Sequence, residues 1–155
     1  MEHPNKEIMQ KCIDAAKTNM ETNQYSLASA VVDSNGNIFA LEISKLRAGN
    51  DPTSHPEICV IRESCSKLGS RTLKGCWLYT TLEPCPMCTS AAIWAKMKGI
   101  VYGASQEDAI NFVKQNNSEF TWRQITVKAS ELIKNGEPKL ELHQFMSKEC
   151  NELFF

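Results

Sequence analysis

The sequence predicts a three-layer α/β/α sandwich on a central mixed sheet of about five strands. Three observations point there. Short apolar runs alternate with longer runs of helical period along most of the chain. Two of the helical runs open on Pro56 and Pro86 straight after a loop, the place where proline suits a first helical turn. The opening strands flank the turn Asp33-Ser34-Asn35-Gly36-Asn37, so the sheet begins as an antiparallel hairpin.

The elements follow in order. Asn5 is placed to cap a first helix, with Ile8, Cys12, Ala15 and Ala16 on one face and Met9, Ile13 and Met20 beside it. Leu27 to Val32 and Ile38 to Ile43 form the hairpin. A polar loop from Arg47 to Ser54 leads into a helix from Pro56 to Leu68, stopped by Gly69. Trp77 to Thr80 reads as a buried strand. A second Pro-led helix runs from Pro86 to about Lys98 and ends at Gly99. Ile100 to Gly103 is a strand, and Glu107 to Lys114 is helical. Leu140 to Leu142 is a weak strand, and Phe145 to Leu153 a final helix. Trp77 and Trp94 lie on elements expected to be buried and are assigned to the core.

At 155 residues and 42% hydrophobic content, residues 1–155 make one domain with a sizeable core. No repeat or composition break divides them. Seventeen Lys and Arg stand against 18 Asp and Glu, a net charge of −1, which disfavours a polyanionic partner. No apolar run approaches the ~20 residues that span a bilayer. The polar start, Met1 to Lys6, shows no secretory h-region, so the cytoplasm is the expected compartment. Seven cysteines, an odd and scattered set, argue against a disulfide framework and for free thiols or metal ligands.

Two segments carry chemistry, His55-Pro56-Glu57 and Pro84-Cys85-Pro86-Met87-Cys88, each where a loop enters a helix. Two cysteines three apart at a helix start can aim both thiolates at one ion, and the helix N-terminus favours the thiolate. His55 from the other helix supplies a nitrogen. Zinc accepts this mixture, and three protein ligands out of four is the arrangement of a catalytic site. Glu57, two residues past the histidine, can lie beside the metal without binding it and shuttle protons. On this reading zinc-bound hydroxide attacks a ring carbon bearing an amino group, Glu57 protonates the ring nitrogen and the amine, and ammonia leaves.

The His-x-Glu and Pro-Cys-x-x-Cys pair is a recognised signature of zinc nucleobase deaminases. Residues Asn50 to Glu57 and Leu78 to Cys88, with the Ala91-Ala92-Ile93 helix and the Val101 to Ala104 strand end, resemble the cytidine/deoxycytidylate deaminase superfamily. Within it the chain is most similar to the branch of guanine deaminases, cytosine deaminases and tRNA adenosine deaminases. The resemblance implies a cytidine deaminase-like fold and one Zn²⁺ per chain held by His55, Cys85 and Cys88, with Glu57 catalytic. It also implies a homodimer, in which the segment from about 120 to 155, with its apolar end, packs at the interface or covers a pocket.

The chain departs from the family in three places. Pro56 stands where a small residue is usual. Ser44, eleven residues before His55, stands where many relatives hold the substrate ring with asparagine; it is the candidate substrate-binding residue. Val113-Lys114-Gln115-Asn116 replaces the acidic Gly-Phe-Asp-Asp stretch of guanine deaminases.

Other residues have blander readings. Cys59 could be a fourth metal ligand, though packing is the stronger reading, and Cys76 and His143 are weaker candidates. Cys12, Cys65 and Cys150 read as packing or surface residues. Lys96 and Lys98 read as solvated charges near a helix end. Glu83 is open between a structural and a catalytic role. Trp122 and Phe112 pack or line a pocket. The leading function is hydrolytic deamination of a free nucleobase or nucleoside, guanine deaminase-like. The alternatives are deamination of adenosine in tRNA and a non-catalytic zinc-binding protein.

Overall fold

A computed structural model describes residues 1–155. Its helices are α1 (Lys6–Lys17), α2 (Pro56–Leu68), α3 (Pro86–Trp94), α4 (Gln106–Asn116), α5 (Ala129–Lys134) and α6 (Ser147–Asn151). Its strands are β1 (Ala28–Val32), β2 (Ile38–Ile43), β3 (Trp77–Leu82), β4 (Gly99–Ala104) and β5 (Glu141–Gln144), in sheet order β2-β1-β3-β4-β5. β1 pairs antiparallel with β2 and β3, while β3–β4 and β4–β5 are parallel. The parallel pair β3–β4 needs a crossover, and α3 is that crossover.

Strand residues alternate between two cores, as a pleated sheet covered on both faces requires. Ala30, Val32, Tyr79 and Val101 join the core beneath α1 and α6. Val31, Leu78 and Ile100 join the core beneath α2, α3 and α5. The expected three layers and mixed five-stranded sheet are therefore present.

Local signals account for the helix starts. The Asn5 side chain accepts a hydrogen bond from the Ile8 amide at 3.1 Å and caps α1. Gly69 adopts φ +61° just past α2, which a residue without Cβ does at no steric cost. Ser105 and Asp108 form a reciprocal capping box at the start of α4.

Several boundaries and one burial assignment differ from the sequence reading: β3 runs on to Leu82 past Thr80, and β5 spans Glu141–Gln144 instead of Leu140 to Leu142. α3 ends at Trp94, not near Lys98, because Lys96 turns left-handed (φ +57°) and the Lys98 amide is already bonded to Cys76. Gly99 thus opens β4 instead of ending a helix. Phe145 continues the pairing of β5, its amide donating to Tyr102 at 2.8 Å, so α6 starts only at Ser147. α5 and a short 3-10 turn at Leu46–Ala48 were not legible in the pattern. Trp94 is 83% exposed, not core. The buried residues of α3 are Cys88, Thr89 and Ala92. Trp94 lies two positions past Ala92, about 200° round the helix, and so faces away.

The C-terminal aromatic residues fold onto their own chain. Phe154 packs on Trp122 and Phe112, and Phe155 on Phe120. The Phe155 carbonyl accepts hydrogen bonds from Ser118 Oγ and Trp122 Nε1. Together with the Tyr25 hydroxyl, bonded to both the amide and the carbonyl of Thr121, these contacts pin the loop that follows α4.

Candidate active site

Both chemical motifs are built the same way. A proline at the first helical position disfavours helical geometry in the residue before it. His55 and Cys85 are accordingly extended N-cap residues (φ −72°, ψ 150° and φ −66°, ψ 170°). Each frees its side chain from the helix while its carbonyl accepts the first helical hydrogen bond, from Cys59 and Thr89. Cys88 sits one turn into α3, on the same side as Cys85.

The end of β3 delivers α3, and the loop after β2 delivers α2, to one place. His55 Nδ1 lies 3.7 Å from Cys85 Sγ and 3.6 Å from Cys88 Sγ, and the two sulfurs are 3.6 Å apart. A tetrahedral zinc with Zn–S of about 2.3 Å and Zn–N of about 2.0–2.1 Å separates such ligand atoms by about 3.6–3.8 Å. The donor set and its spacing therefore fit zinc, and these three residues group as possible ligands. No fourth protein donor joins them. Cys59 lies against Ser54 Oγ at 3.5 Å, Cys76 is buried in the core beneath α2 and α3, and His143 sits beside Glu141.

The charges respond to this crowding. The Cys85 thiol is pulled down to about 4, first by its hydrogen bond with Cys88, with His55 adding to the effect. Cys88 is driven upward, chiefly by Cys85. His55 is raised, first by its contact with Cys85.

Glu57 is 5% exposed and belongs to the first turn of α2. Sheet register explains its orientation. β1 and β3 pair Ser29 with Thr80, and both side chains face the α2 layer. The Thr80 hydroxyl donates to Glu57 Oε1 at 2.8 Å, and the Ser29 hydroxyl does so at 2.9 Å while also lying 2.9 Å from Thr80 Oγ1. Both bonds fall on Oε1, so they fix the carboxylate without engaging Oε2.

A cavity of about 330 Å³ opens over these groups. Tyr25, Leu27, Leu46, Met87, Trp122 and Ile125 give it apolar walls, and His55, Glu57 and Cys85 reach it. Ser44 also lines it, though its side chain is buried and its Oγ lies 3.5 Å from the Leu46 amide. Phe112 packs on Phe154 instead. Trp122 does both, packing on Phe154 and lining the cavity.

Glu83 proves to be a structural tie. Its Oε1 accepts the Gln106 amide and its Oε2 the Ala129 amide, each at 2.9 Å. The sequence reading missed Arg123. Its side chain is 3% exposed, lines the cavity, and is held below its ordinary pKa first by burial, against the pull of Glu83 and the site anions. A lone arginine in an irregular loop has no spacing signal that could have marked it.

Residues 2–104 match the cytidine and deoxycytidylate deaminase zinc-binding region. The chain belongs to that family. Among relatives of this deaminase-family chain, the guanine deaminase of Bacillus subtilis is 44% identical over 80 residues, 52% of this chain and 51% of that protein. The tRNA-specific adenosine deaminase of Agrobacterium fabrum is 39% identical over 92 residues, 56% of this chain and 60% of that protein. The chain thus aligns to between half and three fifths of these relatives' lengths. A solved structure from work on A-to-I editing by tRNA:A34 deaminases at the wobble position of transfer RNA superposes with a TM-score of 0.72 and 26% identity, covering 97% of this chain and 100% of that one. The family is zinc-binding, and its members here are deaminases, hydrolases of C–N bonds; they divide between two substrate classes.

Proposed function

We propose that this chain hydrolytically deaminates a small aminated heterocycle, a free nucleobase or nucleoside of the guanine type, with residues 1–155 acting as one catalytic domain. The observation that carries this is Glu57, fixed through Oε1 by Ser29 and Thr80, beside the His55, Cys85 and Cys88 donor atoms in one cavity. Those three residues would hold one zinc ion per chain. Bound there, zinc supplies a Lewis acid that makes water nucleophilic near neutral pH.

The chain's own part is proton movement. Glu57 Oε2 takes a proton from the attacking water as its oxygen bonds to the ring carbon that bears the amino group. Oε2 passes that proton to the neighbouring ring nitrogen. A second proton, taken from the added hydroxyl, goes to the amine. The C–N bond breaks, ammonia leaves, a ring carbonyl forms, and Glu57 ends ionised as it began.

Cavity size and lining support a small substrate. About 330 Å³ is at the low end for ligand sites and holds one ring system between apolar walls. Deamination of adenosine in tRNA is the second reading, favoured by the Agrobacterium relative. Phosphate contacts need accessible Lys or Arg around the mouth, and Arg123, the cavity's one such lining residue, is buried. Glu57 speaks against a zinc-binding protein without catalysis.

The test is ammonia release from guanine, cytosine, adenine, their nucleosides, triazines and an anticodon stem-loop RNA. Release from a guanine-type base is the expected result. Salt-sensitive release from the RNA alone would replace this reading with the second, and no release from any of them would sink both.

A homodimer belongs to the same reading, with the segment from about 120 to 155 as the expected interface, although its terminal phenylalanines pack on Phe112, Phe120 and Trp122 of their own chain. The protein should sediment as a dimer; a monomer would refute the homodimer. Seven free thiols support a reducing compartment, the cytoplasm. No helix is long and apolar enough to cross a membrane.

A further inference from the structure

Arg123 is a buried cation with no hydrogen-bond partner in the protein. Its Nε and Nη2 bond to no protein group, yet its side chain is 3% exposed and lines the cavity that holds His55 and Glu57. Leaving such donors unpaired is costly. Glu83 does not meet the need. Both of its oxygens already accept backbone amides at 2.9 Å, and its nearest contact with Arg123 is 4.0 Å, beyond hydrogen-bond length.

The loop that carries Arg123 is held in place. Tyr25 ties down Thr121, Trp122 is bonded to the Phe155 carbonyl, and Arg47 stacks over Phe120 at 4.6 Å. Arg123 therefore lines the cavity from a fixed loop, and its guanidinium is a fork of donors with no acceptor. Whatever it meets must offer acceptors only.

Charge narrows the choice. With zinc bound, the two thiolates balance the metal, and Glu57 and Glu83 outnumber Arg123. The cavity is not electropositive, which disfavours a phosphate. A neutral ring with two adjacent acceptors fits better. The carbonyl oxygen and N7 of a 6-oxopurine form such a pair, and arginine reads them with both arms of its fork. A 6-aminopurine places a donor NH₂ at the same edge and meets the fork donor to donor.

We propose that Arg123 selects 6-oxopurines over 6-aminopurines by pairing with their O6 and N7 acceptors in the cavity. The inference rests on the base-deaminase reading for the class of ligand, and its test does not require turnover. Hypoxanthine and adenine carry no 2-amino group and differ at the 6-position. Their binding to the zinc-loaded protein can be followed by calorimetry.

Wild type should bind hypoxanthine about 10- to 100-fold more tightly than adenine. Arg123→Gln should erase that preference or invert it, since glutamine pairs with adenine N6 and N7. A residue that served only to balance Glu83 would produce no such inversion. Arg123→Lys keeps the charge beside Glu83 and should keep the sign of the preference at reduced strength, a readout that survives if the glutamine variant fails to fold. A wild type without the preference, a glutamine variant with the wild-type ratio, or a lysine variant that favours adenine would overturn the proposal. If the preference depends on Arg123 and guanine still releases no ammonia, the arginine's role stands and the deaminase reading fails.

Discussion

Glu57→Gln is expected to keep one zinc ion per chain and to lose turnover by about 10²- to 10⁴-fold. Glutamine has nearly the same shape as glutamate, and its amide oxygen can still accept from Ser29 and Thr80, which lie 2.9 and 2.8 Å from Oε1. The helix start and the three donor atoms should therefore stay in place. What disappears is an oxygen that can accept a proton and release it again, because an amide does not titrate in this range. Metal analysis and ammonia release on the same preparation check both halves. A variant that turned over normally would show that the proton travels by another route. A variant that lost zinc would show that Glu57 supports the ligands instead of the chemistry.

Zinc removal should have the other large effect, and its pH dependence has a defined sign. A chelator should abolish ammonia release, and Cys88→Ala should abolish both stoichiometric zinc and turnover, since two protein donors hold the ion poorly. Ligands must lose their protons before they bind. In the metal-free pocket Cys85 is already ionised near neutrality, its pKa pulled to about 4 by the Cys88 hydrogen bond and by His55. His55 and Cys88 are both shifted upward, each chiefly through Cys85, so they hold protons that compete with the ion. Zinc affinity should therefore climb as pH rises and fall as pH drops, by roughly 10- to 100-fold per unit around neutrality. Competition against a chromophoric chelator at several pH values measures the slope. An affinity independent of pH would exclude this donor set.

The legible parts of the fold are those whose cause is local. Asn5 capping α1, Pro56 and Pro86 opening α2 and α3, and Gly69 closing α2 each act on neighbours a few residues away. The boundaries that moved have distant causes. α3 stops at Trp94 because Ala95 and Lys98 are drawn into hydrogen bonds with Leu73 and Cys76, 22 residues back along the chain and just before β3. Phe145 is held extended by Tyr102, and α6 is correspondingly short. Trp94 misled because hydrophobicity alone does not say which side of a nine-residue helix meets the sheet.

The site divides along the same line. His55, Glu57, Cys85 and Cys88 are readable from spacing and residue type, because a proline at a helix start dictates how the residue before it is held, and one helical turn sets Cys88 beside Cys85. Only the tertiary structure could bring the imidazole to the sulfurs across 30 residues, set Ser29 opposite Thr80 to orient the carboxylate, and turn an unremarked arginine from an irregular loop into the cavity wall. The physical reason is that ligand type and helix geometry are properties of short stretches of chain. Convergence depends instead on strand register and on which layer covers which face, and those are settled by burial over the whole sheet.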